Sequence, residues 1–114
     1  MLVVYGISNC DTVKKARSFL ENSNIDYSFV DFKKTKPTKE NILMWKKFSG
    51  DFPVNKKGTT YKKFKEEYEL LDEAKKIDFI IENSSMIKRP IFEKKSKVLA
   101  IGYSPDELKG LIFG

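Results

Sequence analysis

Cys10 is the residue of this chain best suited to covalent chemistry. It lies in the stretch YGISNCDTVKKARSFL, residues 5–20, and is the one cysteine of a sequence without histidine. The missing histidine excludes a Ser–His or Cys–His hydrolase site and the usual ligands of a structural zinc ion, so we expect no metal. A thiolate is the nucleophile of thiol–disulfide chemistry, but a lone cysteine is also a common buried apolar residue. The residue type alone leaves both interpretations open.

The sequence around Cys10 has no C-x-x-C motif, because the position of a second cysteine holds Val13. A dithiol mechanism within one chain is therefore excluded. Any disulfide that Cys10 forms must include a thiol from outside the chain, such as glutathione, a substrate or another protein.

The segments that flank Cys10 have the pattern of a βαβ unit. Residues 2–5 are an apolar run closed by Gly6, residues 11–21 repeat apolar side chains at helical spacing, and residues 25–32 have the pattern of a second strand. We expect two parallel strands joined by a right-handed crossover. Cys10 then lies directly before the helix, where free backbone N–H groups and the helix dipole favour a thiolate.

The rest of the chain predicts several helices, a β-hairpin and a final helix. The first of these helices carries Ile42, Trp45 and Phe48 on one apolar face, and residues 91–101 have the pattern of the hairpin. The expected N-caps of the helices are Thr38, Thr59 or Thr60, Asp72 and Ser104.

This order of elements, β-α-β, helices, then β-β-α, predicts an α/β protein with a thioredoxin-like fold. Its sheet is mixed and four-stranded, and a helical subdomain is inserted at about residues 35–83. We expect one domain over residues 1–114.

Arg89 and Pro90 directly precede the predicted third strand. In the thioredoxin topology a proline at this place is commonly cis and lies against the active-site cysteine, with the preceding residue facing the site. Arg89 would then bring a guanidinium to Cys10, where it lowers the thiol pKa or binds a carboxylate or oxyanion. Without the fold, an exposed arginine beside a strand-edge proline is the simpler interpretation.

The formal net charge of +6 is distributed over lysine pairs along the chain and not concentrated in one block. This spacing is typical of solvated helix faces, so we expect no specific nucleic-acid binding. No apolar run is long enough to span a membrane, and one cysteine without a cleavable leader favours a cytoplasmic protein.

Several motifs resemble those of the arsenate reductase (glutaredoxin-linked) superfamily, which includes the Spx transcriptional regulators. They are YGISNCDTVKKAR, IDYSFVDFKK, NKKGTTYKKF, IKRPI and VLAIGYS, which together extend over nearly the full length. Within the superfamily the sequence is most similar to the small YffB-like proteins. The resemblance implies a thioredoxin-like fold with a helical insertion.

The resemblance also implies roles for particular residues. The catalytic cysteine corresponds to Cys10, and the arginine before the motif proline corresponds to Arg89. Lys57 replaces an arginine that is common before GTT in relatives, which keeps the charge and loses the bidentate fork. We assign Arg89, Lys57, Asn9 and Thr12 to binding of the thiolate, an anion or glutathione. Pro90 is assigned to backbone pairing with an extended substrate.

Two features of true arsenate reductases are missing from the sequence. No arginine follows the fourth strand, where the chain reads Leu99-Ala100-Ile101-Gly102, and no histidine-containing loop precedes Cys10. Because an arginine cluster binds arsenate and stabilises the arsenylated cysteine, we rank arsenate reduction third.

The first hypothesis is a single-cysteine thiol–disulfide oxidoreductase without a bound cofactor. Glutathione is its expected co-substrate, and another thiol or glutaredoxin is an alternative partner. The second hypothesis is an Spx-like adaptor that binds RNA polymerase and lacks a redox switch.

Overall fold

The computed structural model describes residues 1–113 of the 114-residue chain. The chain divides into two compact units. The first unit consists of Met1–Lys34 and the segment that begins at Arg89, and the second is Thr35–Lys88. The helical insertion expected at about residues 35–83 falls within the second unit.

The described elements follow the predicted order. They are β1 (Leu2–Gly6), α1 (Asp11–Asn22), β2 (Tyr27–Asp31), α2 (Lys39–Ser49), α3 (Thr59–Glu69), α4 (Glu73–Glu82), a 3-10 turn (Ser84–Met86), β3 (Ile91–Lys94), β4 (Lys97–Ile101) and α5 (Pro105–Phe113). The four strands form one sheet in the order β2-β1-β3-β4. β1 and β2 are parallel, whereas β1–β3 and β3–β4 are antiparallel. The mixed four-stranded α/β fold with inserted helices is confirmed.

One face of the sheet in the first unit is covered by α1 and α5. Strand residues that alternate along β1 point to this face, as expected for a period of two. The buried cluster consists of Leu2, Val4, Ala16, Leu20, Phe92, Ala100 and Leu108. The same apolar positions that predicted β1 and α1 therefore form the core that fixes the helix against the sheet.

The β3–β4 hairpin closes in a tight turn at Lys95 and Ser96. Both residues have positive φ angles, 53° and 63°. Two successive left-handed residues are the signature of a type I′ turn, whose twist matches that of the strands it connects. The hairpin is where the sequence predicts it, although neither turn residue is the glycine or asparagine that this conformation favours.

The helices of the second unit begin and end at recognisable caps. Thr38 and Asn41 form a reciprocal capping box at the start of α2, and Gly50 ends that helix with a φ of 84°. The Asp72 side chain accepts a hydrogen bond from the Lys75 N–H at 2.8 Å. The buried hydrophobic residues of this unit are Ile42, Trp45, Val54, Tyr61, Tyr68, Ile77, Ile80, Met86 and Ile87.

Two details of the helix predictions are wrong. Phe48 is 51% exposed, although Ile42 and Trp45 are fully buried. At 3.6 residues per turn, a residue six positions after Ile42 lies about 120° away from it around the helix. The N-cap of α3 is Gly58, and Thr59 is already helical. The Gly58 N–H donates to the Asn55 carbonyl at 3.0 Å, so this turn leads the chain into the helix one residue earlier than expected.

Among the helices of the described residues, none is both long and apolar enough to cross a lipid bilayer.

Candidate active site

Cys10 is the N-cap residue of α1, at the end of the turn that follows β1. Its backbone is extended, with φ −86° and ψ 127°. The Cys10 N–H donates to the Ile7 carbonyl at 3.1 Å, and the Cys10 carbonyl accepts from the Lys14 N–H at 2.9 Å. These two bonds hold the residue at the point where the first amides of α1 have no partner within the helix. The half-buried thiol is thus held beside these amides.

Gly6 and Val13 bring the end of β1 and the start of α1 into close contact. A Cβ atom on Gly6 would lie 2.8 Å from Cγ2 and 3.3 Å from Cγ1 of Val13, closer than atoms normally pack. Val13 itself is completely buried. The position that holds a second cysteine in a C-x-x-C motif is therefore a packing position here, and Gly6 allows the helix to lie this close to the strand.

Arg89 and Pro90 reach the same end of the sheet because of the antiparallel pairing of β3 with β1. Ile91, the first residue of β3, pairs with Tyr5 near the end of β1. The two residues before β3 therefore lie beside the turn that carries Cys10. The Arg89–Pro90 peptide bond is cis.

The Pro90 backbone has little capacity for further hydrogen bonds. Proline has no N–H, and its carbonyl already accepts a hydrogen bond from the Gly102 N–H at 2.8 Å. Pairing of Pro90 with an extended substrate stays a prediction.

The pKa of the Cys10 thiol lies below its ordinary value of 9.0. Partial burial raises the pKa, but the backbone N–H of Val13, the hydrogen bond and positive charge of the Arg89 side chain, and the N–H of Thr12 together outweigh that effect. The sulfur forms no regular side-chain cap at the helix start. The N–H groups of Val13 and Thr12 nevertheless act on the sulfur and stabilise the thiolate form.

The structure brings some of the predicted site residues together. Cys10, Arg89 and Pro90 meet in the first unit, with Asn9 and Thr12 exposed on either side of the cysteine. Lys57 belongs to the second unit, where its N–H donates to the Asn55 side chain at 3.2 Å. The assigned binding roles of these residues stay predictions.

Sequence reasoning missed two features near this end of the sheet. It treated Gly6 only as the end of a strand, although a glycine between an apolar run and a cysteine is a signal of close packing. It also missed Glu93, a buried carboxylate on β3 whose Oε1 lies 3.5 Å from the Tyr5 hydroxyl. The pattern of the hairpin gives no sign that an acidic residue points inward there.

The fold and the site define a protein of the thioredoxin-like class with one cysteine at the start of its first helix. The family model described as the ArsC family matches residues 5–111. The chain belongs to the ArsC family.

Relatives and solved structures agree with this assignment. An uncharacterized protein of Haemophilus influenzae is 37% identical over 110 residues, which cover 94% of this chain and 95% of the relative. The global transcriptional regulator Spx 2 of Bacillus anthracis is 26% identical, with coverage of 96% and 85%. The solved structure of a YffB protein is 34% identical, covers 98% and 99% of the two chains, and has a TM-score of 0.86. The predicted membership of the arsenate reductase and Spx superfamily is confirmed.

More distant structures show the fold alone. An arsenate reductase from Vibrio cholerae is 19% identical, with coverage of 97% of both chains and a TM-score of 0.78. A glutaredoxin from Archaeoglobus fulgidus is 21% identical, with coverage of 99% and 86% and a TM-score of 0.53. The thioredoxin-like prediction is thereby confirmed.

Proposed function

We propose that the protein is a thiol–disulfide reductase in which Cys10 is the nucleophile and glutathione is the resolving thiol. The observation that carries this proposal is the environment of the sulfur. Arg89 and the first amides of α1 lower the pKa of Cys10 although partial burial acts in the opposite direction. A cysteine with only a packing role needs no such environment, because a neutral thiol is the more stable form in apolar surroundings.

The reaction has two exchange steps. The Cys10 thiolate attacks the glutathione sulfur of a mixed disulfide, the substrate S–S bond breaks, and the substrate leaves as a thiolate. A second glutathione thiolate then attacks the Cys10–glutathione disulfide. Cys10 is regenerated as a thiolate and glutathione disulfide is released. Each step forms one S–S bond and breaks one, and two glutathione sulfurs end in one disulfide for each substrate thiol released.

The need for an external thiol follows from the chain itself. Cys10 is the one cysteine in the sequence, and the position three residues later is filled by the buried Val13. Glutathione fits the role by its carboxylates, which cationic side chains bind, and by its extended peptide backbone. Glutaredoxin is a further proposed partner, since it could reduce the same mixed disulfide.

The electrostatic part of the proposal is tested by the pH dependence of Cys10 alkylation. In the wild type, the alkylation rate should level off at a lower pH than for an ordinary thiol. Arg89→Ala should move the profile to higher pH. The profile of Arg89→Lys should lie between those of the wild type and Arg89→Ala, because lysine keeps the positive charge but lacks the planar guanidinium group. Lys109→Ala removes an exposed charge from α5 and should leave the profile unchanged. A wild-type profile like that of a free thiol would overturn the proposal.

The chemical part is tested by mass spectrometry and turnover. Oxidised glutathione should place one glutathione on Cys10, and reduced glutathione should remove it. Glutathione-dependent reduction of a small mixed disulfide, coupled to glutathione reductase, should disappear in Cys10→Ser. A wild-type protein that forms the adduct but shows no turnover would indicate that Cys10 is modified without being catalytic.

A second candidate function is that of an adaptor for RNA polymerase. The relative in Bacillus anthracis named as a global transcriptional regulator favours it. Direct binding of purified RNA polymerase should be compared between the wild type and Cys10→Ser. Tight binding that does not depend on Cys10, together with absent turnover, would favour the adaptor.

Arsenate reduction is the weakest of the three candidates. The segment after β4 lies at the site, because the Gly102 N–H donates to the Pro90 carbonyl. This segment provides a glycine followed by Tyr103 and no cation for an oxyanion. A coupled assay with arsenate, glutathione and glutaredoxin should give little turnover, and robust turnover would reverse this ranking.

A further inference from the structure

The second unit contains a cavity of about 380 Å³ at the loop between α2 and α3. Its lining combines lysines with a short apolar wall. Its lining residues include Asp51, Phe52, Val54, Lys56, Lys57 and Lys88. The volume is within the range of small-molecule sites, about 300–1,000 Å³.

The cavity is formed by backbone pairing between two segments that are far apart in the sequence. Val54 and Ile87 form an antiparallel β-bridge. The Lys88 N–H donates to the Pro53 carbonyl at 2.9 Å, and the Asn55 N–H donates to the Met86 carbonyl at 2.7 Å. This pairing brings Lys88 to the same cavity as the two lysines that follow Asn55 in the loop.

The cavity is net positive. Three lysines line it, with Asp51 as the carboxylate among its lining residues. Within residues 1–113, none of these three ammonium groups forms a salt bridge, since the pairs found there involve Lys36, Lys46 and Lys76. Like charges around one cavity repel each other, and an anion bound in the cavity relieves that repulsion.

The cavity also has an apolar wall beside its charged residues. Phe52 and Val54 provide apolar surface beside the charges. Asp51 lies next to them, and its Oδ1 accepts a hydrogen bond from the Phe52 N–H at 2.7 Å. Cations that outnumber a single carboxylate, beside an apolar wall, are complementary to a small molecule with two carboxylates and one ammonium group.

We infer that this cavity binds a small peptide-like dicarboxylate, the chemical class to which glutathione belongs. The choice of glutathione as the tested member rests on the proposed function. The inference adds Lys56 and Lys88 to Lys57 as residues that recognise the ligand's carboxylates. It concerns binding alone and assigns no step of the reaction to these lysines.

S-methylglutathione is the appropriate probe, because it has both carboxylates and cannot form a disulfide. Amide NMR titration of Cys10→Ser with this probe should shift the signals of residue 88 and of residues 51–57 other than Pro53, which has no N–H. Lys56→Gln and Lys88→Gln should each weaken binding about two- to fivefold, as for single partly exposed charge contacts. Lys65→Gln removes an exposed lysine of α3 outside the cavity and should leave the affinity unchanged. Added salt should weaken binding.

Three results would overturn the inference: shifts confined to other residues, equal binding by the Lys56→Gln/Lys88→Gln double variant, or equal binding of the diethyl ester of the probe. The proposed function is tested separately by the Cys10 adduct and turnover. Binding of S-methylglutathione without turnover would contradict the function and support the cavity. Turnover without binding at residues 51–57 and 88 would support the proposed function and overturn the inference about the cavity.

Discussion

The contact between Gly6 at the end of β1 and Val13 in α1 predicts that substitutions at these two positions change the free energy of unfolding strongly and non-additively. In Gly6→Ala, the new methyl group would lie 2.8 Å from Val13 Cγ2 and 3.3 Å from Cγ1. Both Val13 atoms belong to a fully buried side chain, so they cannot move into solvent. Overpacking of this kind costs about 1–3 kcal/mol. The substitution should therefore destabilise the protein although it adds only one methyl group.

Val13→Ala changes the same contact in the opposite sense. It removes two buried methyl groups, which at about 0.8 kcal/mol per methylene plus a cavity contribution costs about 2 kcal/mol. In the double variant Gly6→Ala/Val13→Ala, the alanine methyl at position 6 occupies part of the space that the valine left. The double variant should thus be more stable than the sum of the single changes predicts, by about 1 kcal/mol or more.

The assay is urea unfolding of the wild type, both single variants and the double variant, with equal slopes required for comparison. Gly110→Ala is the matched control, because a Cβ atom there meets nothing within 4 Å and the residue lies within α5. It should be neutral or slightly stabilising. Additive changes in the double variant, or a neutral Gly6→Ala, would refute the close contact between β1 and α1.

Three further predictions concern other contacts. Asp72→Ala removes the cap that accepts from the Lys75 N–H and should cost about 1 kcal/mol in urea unfolding, and an unchanged midpoint would contradict that role. Lys95→Asn/Ser96→Gly suits the two positive φ angles of the hairpin turn and should stabilise by about 0.5–1 kcal/mol, with any loss of stability contradicting the turn type. The pKa of Cys10 is lower in the folded protein than the ordinary 9.0. At pH values between the folded and the unfolded pKa, the unfolded chain therefore binds more protons than the folded one. The wild type should thus gain stability relative to Cys10→Ser as the pH rises toward 9.0. Unfolding curves at several pH values measure this difference, and a constant difference would contradict the lowered pKa.

The sequence by itself determined the local structure around the site. The apolar periods of β1 and α1 placed Cys10 between a strand and a helix, because alternation and helical spacing are properties of neighbouring residues. The N-caps Thr38 and Asp72 could also be predicted from the sequence, because a capping side chain accepts a hydrogen bond from an N–H only three residues away. A single cysteine also excludes an internal disulfide whatever the fold, because such a bond requires two sulfurs in the chain.

The tertiary structure decided which distant residues act on these local features. Arg89 reaches Cys10 because β3 pairs antiparallel with β1, and that register depends on the packing of the whole sheet. Lys88 joins Lys56 at the cavity through a single bridge between two loops, which leaves no periodic pattern in the sequence. The exposure of Phe48 needed no tertiary information, because its spacing from Ile42 already places it about 120° away around α2.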